Sequence, residues 1–578
     1  MDKTPQVKLR STSHYFLEGL NEIGIDHLFC NLGTDHAPLI EEMARWRKDG
    51  RRHAPTVLCP HENVAVHMAA GYTMVTGRGQ AVLVHVDVGT ANSAMALHNL
   101  ARARIPALLM AGRAPFTVRG ELPGSRDNQV HFIQEPYDQA GLVRPYVKWE
   151  YNLHSGVTTK EVLRRAHSLM HSDPMGPVYL TLPREVLAQN WDEKAVSSFP
   201  EARFGPVRVR GTDPDTVAQI AAKLLTAEHP VLVTRYGGRN PAFPAVMDEL
   251  ARYAGIRVFE AGATCLNIPH DSPCYLGVSA AVAVPHADVG LMVDVDVPWI
   301  PSDTREAPAS YWIHVDIDVI KEKAPMWGFP SDLRIQGDSH AILVQVLQAL
   351  REKATPQFLD AARQRMEAIR RESEARVAGL SKLAANKGEP GQIDVNYLCA
   401  ELGRALSPRD IVFNEGIRSA PAIFNQVMRT VPGSIFGMPG SALGYSGGAA
   451  LGAKLARRDA LAVQIVGDGS FYQCTPETVY AVSRQYELPI FTVVVDNAGW
   501  AAVRESTMRM YPAGEAFAAA QFEARLASGM DFSKVAESAG GYGVKVDHPD
   551  ALPDAIQKCL GEVRSGRSAL LHACVKPL

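Results

Sequence analysis

The stretch IVGDGSFYQCTPETVYAVSRQYELPIFTVVVDNAGW, residues 465–500, decides the fold. An apolar run ends in Gly467-Asp468-Gly469-Ser470, a helical pattern follows, and a second apolar run ends in Asp496-Asn497. That is the strand, helix, strand order of a parallel sheet. Asp468 and Asn497 lie 29 positions apart, enough for one helix and one strand, so both side chains emerge at one carboxyl edge of the sheet. Glycines beside Asp468 let a phosphate approach the backbone. A carboxylate, an amide oxygen, one backbone carbonyl and two phosphate oxygens make the hard oxygen shell that Mg²⁺ prefers.

The same punctuation recurs outward from this stretch. Short Val-, Ile- and Leu-rich runs at 81–86, 107–111, 177–182, 230–234, 290–295, 311–315, 461–466 and 490–495 alternate with helical patterns, which predicts an α/β fold with buried parallel sheets. The pattern breaks around 187–207, which carries prolines and charges, and around 354–392, a charged helical stretch that ends in Gly and Pro. Read as linkers, these breaks divide the chain into three doubly wound domains at 1–190, 191–355 and 380–578.

Composition narrows the partners. The chain has 578 residues, 46% hydrophobic and 21% charged, which excludes disorder, collagen and coiled coil. Fifty-nine basic against 62 acidic residues, with no long run of one sign, point away from nucleic acid and anionic membranes and toward a small molecule. The eight cysteines show no CxxC spacing and read as reduced thiols. The N-terminus lacks an apolar run and no apolar stretch is long enough to span a membrane, so a cytoplasmic protein is expected.

The GDG turn, helix, strand and closing Asn resemble the thiamine-diphosphate motif, and the chain is similar to the family of thiamine-diphosphate-dependent 2-oxo acid decarboxylases and acetolactate synthases. That motif usually ends in Asn-Asn; here Asp496 replaces the first Asn, while the metal-binding second position, Asn497, is kept. The resemblance assigns Gly467, Asp468, Gly469, Ser470, Asn497 and Trp500 to cofactor binding, with Asp468, Asn497 and Gly499 holding Mg²⁺.

Three further segments carry the resemblance. CPHENVAVHMAAGYTMVTGRG (59–79) is similar to the segment with the family's cofactor-activating glutamate, which implies that role for Glu62. A carboxyl bonded to the aminopyrimidine ring drives the imino tautomer whose nitrogen removes the thiazolium C2 proton. An acidic residue opening a helix otherwise serves as a dipole partner. GSALGYSGGAALGAK (440–454) resembles the glycine-rich segment that bends the cofactor over a bulky side chain, here Leu443, with the Ser441 carbonyl on the aminopyrimidine amine. FNEGIRSAP (413–421) resembles the loop under the diphosphate, where Gly416, Ile417, Arg418 and Ser419 offer backbone amides; Arg418 is either part of that cradle or a surface charge.

Substrate contacts follow from the same likeness. NLGTDHAPL (31–39) stands where the family has an N-P-G-S/G loop, with Leu32 for the Pro and Thr34 and His36 as polar candidates. VHVDVGTANSAMALHN (84–99) resembles the benzoylformate decarboxylase version, with His85 as its catalytic histidine, and NAGWAAVRE (497–505) places Ala502 and Val503 near the substrate. His85 is assigned a protonating or carboxylate-orienting role, His36 reads either way, and His67 and His98 read as structural.

The resemblance implies decarboxylation of a 2-oxo acid through a C2 ylid and enamine. Acetolactate synthase-like carboligation, 2-hydroxyacyl-CoA cleavage and an inactive cofactor-binding paralogue are the alternatives. It further implies a homodimer or homotetramer with active sites at the subunit interface, Glu62 coming from one subunit and the diphosphate and metal from another. Some relatives keep FAD in the middle domain; 191–355 has no strand-linked GxGxxG, and RYGGRN (235–240) is too short a glycine signal, so FAD is left out.

Overall fold

Every apolar run read above becomes a strand of a parallel sheet, and the described residues contain three such sheets. A computed structural model describes residues 8–527 and 529–577; residues 1–7, and with them part of the N-terminal stretch read as lacking an apolar run, lie outside it. The first sheet comprises β1 (Leu28–Cys30), β2 (Thr56–Leu58), β3 (Gln80–Val84), β4 (Ala107–Arg113), β5 (Glu150–Asn152) and β6 (Val178–Pro183), in the order β2-β1-β3-β4-β6-β5. The second comprises β7 (Val231–Thr234), β8 (Arg257–Glu260), β9 (Val289–Val293), β10 (Tyr311–Asp316) and β11 (Leu333–Gln336), in the order β8-β7-β9-β10-β11. The third comprises β12 (Ile411–Glu415), β13 (Ile435–Phe436), β14 (Ala462–Gly467), β15 (Phe491–Asp496), β16 (Tyr542–Val546) and β17 (Ala569–Cys574), in the order β13-β12-β14-β15-β17-β16.

The first and third sheets therefore share one topology, although no sequence repeat announces it. In all three, the strand order reverses beside the first strand in chain order. The crevice at such a switch point, outside the carboxyl ends of the strands, is where an open α/β sheet binds ligands. The loops after β1 and β3, and those after β12 and β14, occupy that position.

The helices include α1 (Glu62–Thr76), α2 (Val86–Arg102), α3 (Pro356–Ala384), α4 (Ser446–Ala456), α5 (Asp468–Gln473) and α6 (Ala501–Met510). The chain forms two compact units. One joins the residues up to 208 with 439–458 and 474–488; the other joins 209–438, 459–473 and 489–578. In the second unit, α3 corrects the reading of 354–392 as a linker: Phe358, Ala362, Met366 and Ile369 form a buried stripe at helical spacing that packs into the core of the second sheet.

In the first unit, α1 and α4 pack backbone against backbone. A Cβ on Gly71 would strike the main chain of Ala449, and one on Gly452 the main chain of Met68 and Tyr72. Small residues on both helices permit this approach, and it seats the segment before α4 against the start of α1. Among the described residues, no helix is long and apolar enough to cross a membrane.

Candidate active site

The edge of the third sheet gathers the residues of the 465–500 stretch. Asp468 opens α5 at the end of β14 and is 3% exposed; Asp496 ends β15. The two carboxyls interact directly. Burial, then the charge of Asp496, push Asp468 up to about 7. Burial works against Asp496 as well, but hydrogen bonds from His572 and from the Ala498 N–H hold it below the usual carboxylate value. His572 Nε2 lies 2.7 Å from Asp496 Oδ2, and the Ala498 N–H reaches Asp496 Oδ1 at 2.8 Å. The Asn497 Oδ1 accepts from the Gly499 N–H at 3.2 Å. Ala498 between them adopts a left-handed φ of 58°, a conformation that costs a non-glycine residue about 1–2 kcal/mol. The Trp500 indole lies where a Cβ on Gly469 would sit, and Arg418 is exposed and ion-paired with Glu505. Ile417 also takes a positive φ, 45°, and Ala502 and Val503 lie on the exposed side of α6.

The edge of the first sheet holds a second polar cluster. His85 follows β3, and its Nδ1 is 2.5 Å from Oδ1 of Asp35 in the loop after β1. The hydrogen bond that His85 donates to Asp35 raises His85 above its ordinary pKa against the opposing effect of burial. Burial pushes Asp35 the other way, but the neighbouring His36 and the bond to His85 bring it below the usual carboxylate value. The pair exists because two glycines make room for it: a Cβ on Gly33 would enter the His85 ring, and one on Gly112 the Asp35 carboxylate. Val86, next in the chain, has φ 39°, a strained value for a β-branched residue. Thr34 Oγ1 meets His131 Nε2 at 3.0 Å.

His36 does not join this open edge. It is fully buried, its Nδ1 accepts from the Gly33 N–H at 3.0 Å, and burial holds its pKa down. Its Nε2 stands 3.2 Å from Asp35, so the expectation of a substrate-facing His36 is corrected to a buried neighbour of Asp35.

Glu62 opens α1, 6% exposed, and its Oε2 accepts from Asn92 Nδ2 at 3.0 Å. The 440–445 segment lies against the same pair of helices. Asn63 Nδ2 donates to the Gly444 carbonyl at 3.2 Å, and Asn99 donates to the Ala442 carbonyl at 2.8 Å while accepting from its N–H at 3.1 Å. His98 Nε2 meets Ser441 Oγ at 2.9 Å, so this histidine, read as merely structural, touches the segment assigned to the aminopyrimidine. His67 is buried behind it, pushed down to about 3 by desolvation. Glu62, Ser441 and Leu443 thus belong to one compact unit.

The family description of a thiamine pyrophosphate enzyme, N-terminal TPP binding domain, matches residues 10–142, and that of the C-terminal TPP binding domain matches 423–573. The chain belongs to the thiamine pyrophosphate enzyme family. Among the relatives of this thiamine pyrophosphate enzyme, acetolactate synthase isozyme 3 large subunit of Escherichia coli is 24% identical over 534 residues, 90% of this chain and 88% of that one. Benzoylformate decarboxylase of Pseudomonas aeruginosa is 26% identical over 503 residues, 84% and 86% of the two chains. In fold, the thiamine diphosphate-dependent 4-hydroxybenzoylformate decarboxylase of Rhodococcus jostii RHA1 superposes with a TM-score of 0.77 at 20% identity, covering 98% of this chain and 99% of that one.

The residues of this thiamine pyrophosphate enzyme fit its cofactor and a hard cation. Burial and the charge of Asp496 push Asp468 up to about 7, so a divalent cation beside it would favour its ionised form and displace its proton. The Asp468 carboxylate, Asn497 amide and Gly499 carbonyl supply oxygen donors, and a Cβ on Gly467 would meet nothing nearer than 3.8 Å, which leaves space above the turn.

The corresponding edge of the second sheet carries the chain's own polar network. Tyr236 OH bonds both oxygens of Asp316 at 2.5 and 2.6 Å, Lys321 Nζ bonds Tyr236 OH and Asp316 at 2.7 Å, and Arg239 pairs with Asp294 at 2.9 Å. The chain's own charges fill this switch point, and Gly237 and Gly238 pack against Phe243 and the Leu266 carbonyl instead of opening toward a ligand.

Proposed function

We propose that this thiamine pyrophosphate enzyme decarboxylates a 2-oxo acid. The observation that carries the reading is the Asp35–His85 pair at the switch point of the first sheet, on the stretch that resembles benzoylformate decarboxylase. When bound, thiamine diphosphate supplies a nucleophilic carbon and an electron sink for the bond that breaks. Asp468, Asn497 and the Gly499 carbonyl would hold Mg²⁺, and the backbone amides of 416–419 would bind the diphosphate. Glu62, bonded to Asn92, would offer its carboxyl to the aminopyrimidine. His85, kept cationic over a wider pH range by Asp35, orients the substrate carboxylate and then gives a proton to the product carbon. Thr34 and His131 line the same edge.

Acetolactate synthase-like carboligation is the second reading, favoured by the relatives that match across nearly the whole chain. In either reaction the working form is a homodimer or homotetramer. Exposed apolar side chains on one segment, Phe116, Val118, Phe132, Ile133 and Tyr137, support a covered surface there. The eight cysteines form no disulfide, which supports a reducing, cytoplasmic setting.

The test is a split between steps. His85→Ala should keep deuterium exchange at the cofactor C2 while turnover of a 2-oxo acid falls by about 10²–10⁴-fold; loss of C2 exchange in that variant would place His85 in cofactor activation instead.

A further inference from the structure

We propose that Asp496, His572 and Cys574 form a second metal site, for a thiophilic divalent cation of the zinc class, beside the magnesium ligands. Parallel pairing of β15 with β17 sets Asp496 opposite Cys574 and Val494 opposite His572. His572 and Cys574 are two apart on one strand and therefore share a face, the face on which Asp496 emerges. The three side chains bring one ligand atom each to within 4.8 Å of the others. His572 Nε2 is 2.7 Å from Asp496 Oδ2 and 4.0 Å from Cys574 Sγ.

The donor chemistry separates this site from its neighbour. Asp468, Asn497 and the Gly499 carbonyl offer only oxygen, which suits Mg²⁺; imidazole nitrogen, thiolate and carboxylate suit Zn²⁺ or Co²⁺. One carboxylate and one thiolate neutralise a dication, so the loaded site carries no net charge in a partly buried place. His572 is fully buried, while Asp496 and Cys574 are half-buried and leave an approach for the ion.

A second layer is also present. The Phe532 N–H points to His572 Nδ1 at 3.3 Å, which assigns the ring proton to Nε2. Asp531 Oδ1 stands 3.7 Å from Nδ1. On binding, the ring exchanges tautomer: Nε2 turns its lone pair to the ion, Nδ1–H turns toward Asp531, and the Phe532 N–H gives up its bond to Nδ1. Formation of the metal–thiolate bond releases the Cys574 thiol proton. The seventy-odd positions between Asp496 and His572 hide this trio from any spacing rule.

The experiment uses the full chain loaded with thiamine diphosphate and Mg²⁺, titrated with Co²⁺ as the spectroscopic probe and Zn²⁺ as competitor. The expected result is a thiolate-to-cobalt charge-transfer band that saturates at one ion per chain, is displaced by Zn²⁺, and disappears in Cys574→Ser with magnesium content unchanged. Cobalt at the all-oxygen site gives no such band. His572→Gln should weaken the affinity at least ~10-fold. Absence of the band in the wild type, or its persistence in Cys574→Ser, overturns the proposal. Iodoacetamide labelling of wild-type Cys574, slowed by zinc and not by magnesium, checks it without a variant; labelling indifferent to zinc also overturns it.

Discussion

Asp35 Oδ1 lies 2.5 Å from His85 Nδ1, buried beneath an imidazole whose side chain keeps 21% of its surface exposed. The carboxylate comes from the loop after β1 and the histidine from the end of β3, so the pair spans the switch point of the first sheet. Asp35 fixes the ring's orientation and favours its protonated form.

Asp35→Asn should therefore lower the His85 pKa. His85 is raised in the folded protein, so the stability from its charge is present at pH values below its unfolded pKa and is lost as pH rises through the folded value. Without Asp35 that loss begins at lower pH, and the limb of the kcat profile governed by His85 moves acidward. An unchanged limb in Asp35→Asn would detach His85 from the rate profile.

Magnesium uptake should release a proton at mildly acidic pH. Asp468, pushed up to about 7, holds a proton that the cation displaces, so calorimetry in buffers of different ionisation enthalpy should detect most of one proton at pH 6 and little at pH 8. The same group is raised above its unfolded value, so the metal-free protein should lose stability as pH climbs toward 7 and Mg²⁺ with cofactor should restore it. A proton count that does not vary with pH contradicts this assignment.

Glu62→Gln should still bind thiamine diphosphate and Mg²⁺, because the residue lies in the unit apart from Asp468, yet C2 hydrogen exchange should fall by ~10²-fold or more. Exchange at the wild-type rate removes Glu62 from cofactor activation.

Gly452→Val should unfold the packing of α4 on α1, since its side chain would enter the backbone of Met68. Thermal or urea unfolding should show a loss of at least ~2 kcal/mol. A variant of native stability would mean that the two helices do not approach so closely.

Much of this was legible beforehand for a physical reason. The runs at 461–466 and 490–495 are buried on both faces, which leaves no alternation to misread, and Asp468 and Asn497 follow directly from where those strands end. Relationships that depend on neighbours across the sheet were not legible. Asp35 lay unremarked between Thr34 and His36 because only the register of β1 beside β3 brings it to His85, and His36 is buried by the same loop. His572 meets Asp496 through β17, far along the chain, and the stripe from Phe358 to Ile369 was masked by the charges between its members.

The most direct test of the central claim is CO2 release from a panel of 2-oxo acids, namely pyruvate, 2-oxobutyrate, branched-chain and aryl acids, with thiamine diphosphate and Mg²⁺ present and products identified by mass. The account predicts CO2 with an aldehyde product from at least one of them. Silence across the panel, with the cofactor demonstrably bound and its C2 proton exchanging, would contradict it.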